Sequence, residues 1–228
     1  MSSKRTISIK TALNKYKLNS KQVLAVEAIK NNKIIVIRGL AGSAKTFTAV
    51  YAALGLLYEN KVDRIAITRP LVASEKIGTL PGDLSEKVDP FLYPVIEFFN
   101  KLGESGEHTF QKMSEDGQIR RAPLAFLRGQ TIENEILIVD ESQNLTPQQM
   151  LMVLTRVGKN GKIVITGDEG QSDLGLRENN GLEFVAELAK VVDQVVDIEL
   201  TENMRDPLIN EIVEKWQIIK EKMLTENK

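Results

Sequence analysis

The apolar run Lys33 to Ile37 leads through Arg38 into eight mostly small residues, Gly39-Leu40-Ala41-Gly42-Ser43-Ala44-Lys45-Thr46. These match the phosphate-loop pattern G-x-x-x-x-G-K-[ST] at every fixed position but one, where Ala44 replaces glycine. The pattern has a physical basis. A loop of small residues lets successive backbone N–H groups converge on an anion. Lys45 adds a point charge near the outer phosphates, and Thr46 supplies a hydroxyl for Mg²⁺. A helix that starts at this point directs its positive end at the same place. A strand, a tight loop and a helix in that order fit few folds other than an α/β sheet. Ala44 is the weak point. If the position requires positive φ, a β-carbon there costs about 1 kcal/mol or more.

The rest of the chain fits an α/β sheet. Short Ile- and Val-rich runs recur at Arg64 to Thr68, Glu135 to Val139 and Lys162 to Thr166, with a weaker one from Gln194 to Leu200. Apolar residues on consecutive positions mark strands buried on both faces. Helical stretches lie between most of them. Thr46 to Leu57 is rich in Ala and Leu. Pro147 to Val157 opens with Thr146 as N-cap, Pro147 at the first position and Gln149 at the third. Gly181 to Val192 follows an Asn-Asn-Gly turn. A last helix starts at Asp206-Pro207, and its stripe of Leu208, Ile209, Ile212, Val213, Trp216, Ile219 and Met223 is expected to dock on the core. The alternation predicts a mostly parallel sheet with helices on both faces. It is broken between the second and third strands, at about 70–130. That stretch holds five prolines and reads as an insertion, partly helical around Leu92 to Leu102.

Two more strand ends carry chemistry. Ile136-Leu137-Ile138-Val139 runs into Asp140-Glu141-Ser142-Gln143-Asn144, the Walker B arrangement. Asp140 would hold Mg²⁺, and Glu141 would polarise the attacking water as a general base. The fourth strand ends in Thr166-Gly167-Asp168-Glu169-Gly170-Gln171, which puts the Gln171 amide where it can sense a γ-phosphate or orient water. The alternative for that segment is a plain surface turn.

Composition excludes several other chemistries. The 228 residues contain no Cys and one His. Disulfides, thiol catalysis, Cys-based zinc sites and iron–sulfur clusters are therefore out. His108 lies in a polar, turn-like run and reads as an ordinary loop residue. Thirty Lys and Arg against 31 Asp and Glu give a net charge of −1, so no overall basic coat exists. Residues 1–18 form a basic N-terminal arm ahead of a domain over 19–228. Through residue 26 there are six Lys or Arg and no acid. Such an arm can hold a polyanion or simply be a solvated terminus. No apolar run approaches the roughly 18–20 residues that span a bilayer, and no secretory signal opens the chain. The expectation is a cytoplasmic protein.

Taken together, these residues resemble the PhoH-like ATPases, a P-loop NTPase family related to the superfamily-1 helicases. The matching stretches include Arg38 to Thr46, Thr68-Arg69-Pro70, Glu75 to Phe91, Leu127 to Thr131, Val139 to Asn144 and Thr166 to Leu174. They run in the family's order over roughly residues 20 to 215. The resemblance implies a single RecA-like domain that binds ATP with Mg²⁺ and hydrolyses it, with a link to nucleic acid. It matches Gln171 to a glutamine that reads the γ-phosphate. It matches Asn203 and Arg205 to an Asn-x-Arg motif whose arginine reaches that phosphate and stabilises charge in the transition state. Gln22 resembles the glutamine that reads the adenine edge, although Asn19 and Gln22 also form a capping box. With no second RecA-like lobe in the resemblance, directional unwinding would need a partner or a homo-oligomer, for which a hexameric ring is one form.

Three functions follow from these readings. The first is an ATPase coupled to single-stranded RNA or DNA. Its contacts would be the arm, Arg69, Lys76, Arg120, Arg121 and Arg128. Phe91, Tyr93, Phe98 and Phe99 could stack on bases, although their apolar neighbours suit a core better. The second is a nucleotide-gated assembly or binding module with little hydrolysis, which Ala44 favours and Glu141 opposes. The third is a phosphotransferase acting on a small molecule.

Overall fold

Runs of β-branched residues pair side by side into one sheet of six parallel strands. These are Ile34–Arg38 (β1), Arg64–Thr68 (β2), Ile119–Arg121 (β3), Glu135–Val139 (β4), Lys162–Gly167 (β5) and Val195–Glu199 (β6), in the order β3-β2-β4-β5-β1-β6. The computed structural model describes residues 9–10, 13–70, 93–101, 105–172, 180–202, 208, 211–212, 215–216 and 219. Lys76, Phe91, Leu174, Asn203 and Arg205 therefore lie outside the described residues.

Parallel neighbours require crossovers, and helices supply them. They are Ser20–Asn31 (α1), Lys45–Tyr58 (α2), Tyr93–Asn100 (α3), Ser105–Glu115 (α4), Pro147–Leu154 (α5) and Gly181–Ala189 (α6). Alternation along each strand sends successive side chains to opposite faces. Ile35, Ile37, Ile136, Ile138 and Val164 join Ala25, Ile29, Ala49, Ala53 and Phe99 in one core cluster, under α1, α2 and α3. Val36, Leu137, Val139, Ile163 and Ile165 join Met150, Val153, Leu182 and Val185 in a second cluster, under α5 and α6. The sheet is thus covered on both faces, as the consecutive apolar residues require.

The start signals place the helices well. Thr146 accepts from Gln149 N, and the Gln149 side chain accepts from Thr146 N, at 3.2 and 2.9 Å. Asn19 and Gln22 form the same reciprocal pair at 2.8 and 3.0 Å. The far end of α5 falls short of Val157. The chain leaves the helix at Thr155, and Val157 instead bridges Ile132.

Three features depart from the sequence expectation. The insertion is not wholly outside the sheet, because it contributes the edge strand β3 beside β2. Three residues, two of them arginine, carry too little apolar pattern to reveal an edge strand. His108 lies on the exposed side of α4 and not in a loop. The described part of the C-terminal stripe is not covered by the core, and Ile209, Val213 and Met223 lie outside the described residues. Leu208, Ile212, Trp216 and Ile219 are each about half exposed. The N-terminal segment, by contrast, is partly anchored. Ile9 is buried, and Leu13 and Tyr16 pack on the first core cluster.

Candidate functional site

The strand register brings the chemistry-bearing residues to one edge of the sheet. Arg38 at the end of β1 pairs with Gly167 at the end of β5. Val139 at the end of β4 pairs with Thr68 at the end of β2. The strands all run the same way, so the segments following β1, β4 and β5 emerge together. Between them lies a cleft of about 640 Å³. Its walls include Gln22, Gly42, Lys45, Asp140, Glu141 and Gln171.

The loop from Gly39 to Ala44 turns tightly ahead of α2, with Gly39, Gly42 and Ala44 all at positive φ. Gly39 lies against the backbone of Leu200, and a β-carbon on it would sit 2.3 Å from the Leu200 carbonyl oxygen. Gly42 has φ +87°. Ala44 adopts φ 61°, ψ 33°, the left-handed region, immediately before α2. Here the alanine does carry the steric cost that a glycine would avoid. The Ala44 carbonyl then accepts from both Thr48 N, at 2.9 Å, and Thr48 Oγ1, at 2.8 Å. Lys45 Nζ folds back over the loop and donates to the Gly39 and Leu40 carbonyls at 2.7 and 2.9 Å. The hydroxyl of Ser43 is buried with no hydrogen-bond partner among the described residues.

Asp140 is the electrostatic centre. Its Oδ1 accepts from Thr46 Oγ1 at 2.8 Å and from Thr166 Oγ1 at 2.6 Å. The sheet order explains the convergence, because β5 lies between β4 and β1 and brings Thr166 to the bond from its own strand. Burial pushes the Asp140 carboxyl up from the ordinary carboxylate range, and the Thr166 hydrogen bond opposes that rise. Nearby Glu141 adds to the rise, while Thr46 and Arg69 oppose it. A buried carboxylate beside a threonine hydroxyl at a helix N-terminus is a hard-oxygen donor set that suits Mg²⁺. The residues therefore fit such an ion, which Asp140 and Thr46 would hold.

Glu141 is held from two sides. Its Oε2 accepts from Gln143 Nε2 at 2.7 Å, and its Oε1 lies 3.5 Å from Arg69 Nη2. Its backbone is also left-handed, with φ 51° and ψ 41°. Gln143 is buried and links the two strand tips. Its Oε1 accepts from Asp168 N at 3.1 Å, and its Nε2 also approaches the Gln171 carbonyl at 3.4 Å.

Gln22 has two local roles. Besides the capping box it donates to Thr48 Oγ1 at 3.4 Å, and its buried side chain lines the cleft. Next to it stands an aromatic wall, of which the sequence reading named only Phe98. Tyr16 and Phe47 line the cleft with ring centroids 4.8 Å apart, and Phe98 completes the group. Tyr16 Oη is buried without a hydrogen-bond partner among the described residues. Burial pushes its phenol up, partly opposed by Lys101. Phe47 sits two residues after Lys45, a spacing that could have drawn notice. Tyr16 gave no signal.

The basic candidates separate. Arg69 stands beside Glu141 at the cleft edge. Arg120 is committed elsewhere, in a bidentate pair to Glu135 at 2.5 and 2.8 Å. Glu135 is only 1% exposed and also lies 3.7 Å from Arg64. Arg121 is half-buried in β3, and Arg128 is exposed in the turn after Leu124–Phe126. Phe98 and Phe99 are buried in the core. Among the described residues no His, Cys, Asp and Glu cluster of three could hold a metal, and no helix is long and apolar enough to cross a membrane.

A PhoH-like protein from Synechocystis sp. is 41% identical over 195 residues, covering 84% of this chain and 59% of its own length. One from Bacillus subtilis is 42% identical over 194 residues, covering 84% and 60%. The chain thus spans about three fifths of the length of these curated relatives. A crystal structure of Pif1 helicase from Candida albicans shares 14% identity over 82% of this chain and 40% of its own, with a TM-score of 0.44. A likeness that loose says nothing about activity. The family model described as PhoH-like protein matches residues 16–217. With that match over most of the chain and relatives above 40% identity, the chain belongs to the PhoH-like protein family.

Proposed function

We propose that this chain binds ATP with Mg²⁺ and hydrolyses it, coupled to single-stranded RNA or DNA. One observation carries the reading. Thr46, Asp140 and Thr166 converge at the N-terminus of α2, one residue away from a carboxylate, Glu141, fixed by Gln143. Mg²⁺, when bound, neutralises phosphate charge and orients the outer phosphates. The chain's own residues supply the rest. Loop N–H groups and Lys45 hold the phosphates, and Lys45 leaves its two loop carbonyls to do so. Gln143 fixes the Glu141 carboxylate, which takes a proton from the attacking water. Gln171 orients that water or senses the γ-phosphate. Arg205 is the further cation of the reading and would stabilise charge in the transition state. Gln22 and the aromatic wall of Tyr16 and Phe47 would face the base and sugar. The exposed stripe of Leu208, Ile212, Trp216 and Ile219 supports the expectation of a homo-oligomer.

The test is the steady-state ATP hydrolysis rate with and without single-stranded RNA and DNA, using Lys45→Ala as the blank. Stimulation by one polymer establishes the coupled ATPase and names its substrate. A second reading, the nucleotide-gated module with little turnover, is favoured by the left-handed Ala44. Tight ATP binding with no turnover under any condition would select it.

A further inference from the structure

The structure places a cation from one strand against the general base of the next. β2 and β4 pair with Thr68 opposite Val139, and Asp140 N donates to the Thr68 carbonyl at 2.9 Å. That register puts Arg69, the residue after β2, beside Glu141, the second residue after β4. Arg69 Nη2 approaches Glu141 Oε1 at 3.5 Å, while Gln143 occupies Oε2. Each carboxylate oxygen therefore already faces one donor, and Arg69 occupies a lone-pair direction of Oε1 that the proton of water could otherwise use. The Arg69–Glu141 contact is long and partly wet, with 30% and 33% of the side chains exposed. Such a pair is weak and open to competition from outside. The partly exposed Arg69 side chain suits a phosphodiester oxygen as well as it suits a carboxylate, because its planar fork matches both.

We propose that Arg69 is a latch on Glu141, holding the carboxylate in the polymer-free chain and exchanging it for a backbone phosphate of single-stranded nucleic acid. The proposal rests on the ATPase reading for its effect on turnover, but the exchange itself is a binding equilibrium. Polymer binding would release Oε1 and leave the base held by Gln143 alone. Linkage makes the exchange reciprocal, so whatever frees Arg69 from Glu141 must strengthen its hold on the polymer. The pair is weak, so the coupling is modest. The expected factor is about two- to fivefold in each direction.

Reciprocity gives a test that needs no hydrolysis. Fluorescence anisotropy would follow labelled oligo-U RNA and oligo-dT binding to the full, nucleotide-free chain. Glu141→Gln should tighten binding about two- to fivefold, since Arg69 loses its internal competitor. Arg69→Ala should weaken binding and reduce the salt slope by about one. Glu141→Gln added to Arg69→Ala should change nothing further. If the tightening persists without Arg69, it is a general charge effect and the latch is overturned. Absence of tightening, or of binding to either polymer, overturns it as well. Arg69→Lys keeps the charge but not the fork and should fall between wild type and Arg69→Ala.

Hydrolysis supplies the second arm. Arg69→Ala should raise the polymer-free rate about two- to fivefold and shrink polymer stimulation by the same factor. A fall in the polymer-free rate would make Arg69 an orienting group for the base and overturn the latch. A wild-type chain that never hydrolyses ATP, yet shows the binding cycle intact, would overturn the ATPase reading while supporting the exchange.

Discussion

The carboxamide of Gln143 donates to Glu141 Oε2 at 2.7 Å and accepts from Asp168 N at 3.1 Å, so one buried side chain ties the tip of β4 to the tip of β5. Gln143→Ala should therefore lower kcat while leaving ATP affinity within about threefold. It should also cost about 1–3 kcal/mol of stability, because Asp168 N loses its partner in a buried site. Single-turnover kinetics beside a urea titration separates the two effects. A stability loss with unchanged kcat would remove Gln143 from the positioning of the base.

Glu141→Gln should keep nucleotide binding and stop turnover, since the amide cannot take a proton from water. A fluorescent-nucleotide titration paired with a phosphate-release assay checks both halves. Continued phosphate release would assign the base elsewhere.

Lys45→Ala should weaken nucleotide binding sharply. The lysine already spans the loop between two carbonyls, so its charge lies within reach of any phosphate seated there. Unchanged affinity in the same titration would sink the phosphate-loop assignment.

Ala44→Gly should stabilise the protein. The left-handed backbone costs an alanine about 1–2 kcal/mol, and glycine gives back roughly 0.4–1 kcal/mol through its freer unfolded chain. The net gain is at most about 1.6 kcal/mol, or up to roughly 6 °C in Tm for a chain of this size. Calorimetry would decide. A lower Tm would mean that the loop depends on the alanine methyl.

Arg120→Ala should destabilise the chain by about 2–4 kcal/mol and leave nucleic-acid affinity unchanged. Removing it leaves Glu135 buried with only the more distant Arg64 for compensation. Thermal denaturation and an oligonucleotide titration on one preparation would test both. A large affinity loss with unaltered stability would return Arg120 to the polymer interface.

The sequence made the sheet legible because its central strands are buried on both faces and leave unbroken apolar runs such as Ile136 to Val139. The capping boxes at Asn19 and Thr146 were legible because the residues three positions apart are the ones that bond. The phosphate loop and the acids after β4 were legible as local patterns. What was not legible depended on packing between distant segments. Tyr16 reaches the cleft wall only because α2 and α3 bring Phe47 and Phe98 to it. Arg120 looked like a free cation because its partner, Glu135, lies fifteen residues further on, across the sheet. The C-terminal stripe had the periodicity of a docked helix. Periodicity marks an apolar face without saying what covers it.

The hydrogen bond between Thr46 and Asp140 joins residues 94 positions apart. At ordinary synthesis rates that separation corresponds to roughly 5–20 s on the ribosome. Throughout that interval the loop has left the ribosome without its carboxylate, and Thr166 emerges later still. A nascent chain can thus display the phosphate loop well before it can form the proposed divalent-ion site beside it. Cation-dependent nucleotide retention would then mark the moment at which the central strands have closed.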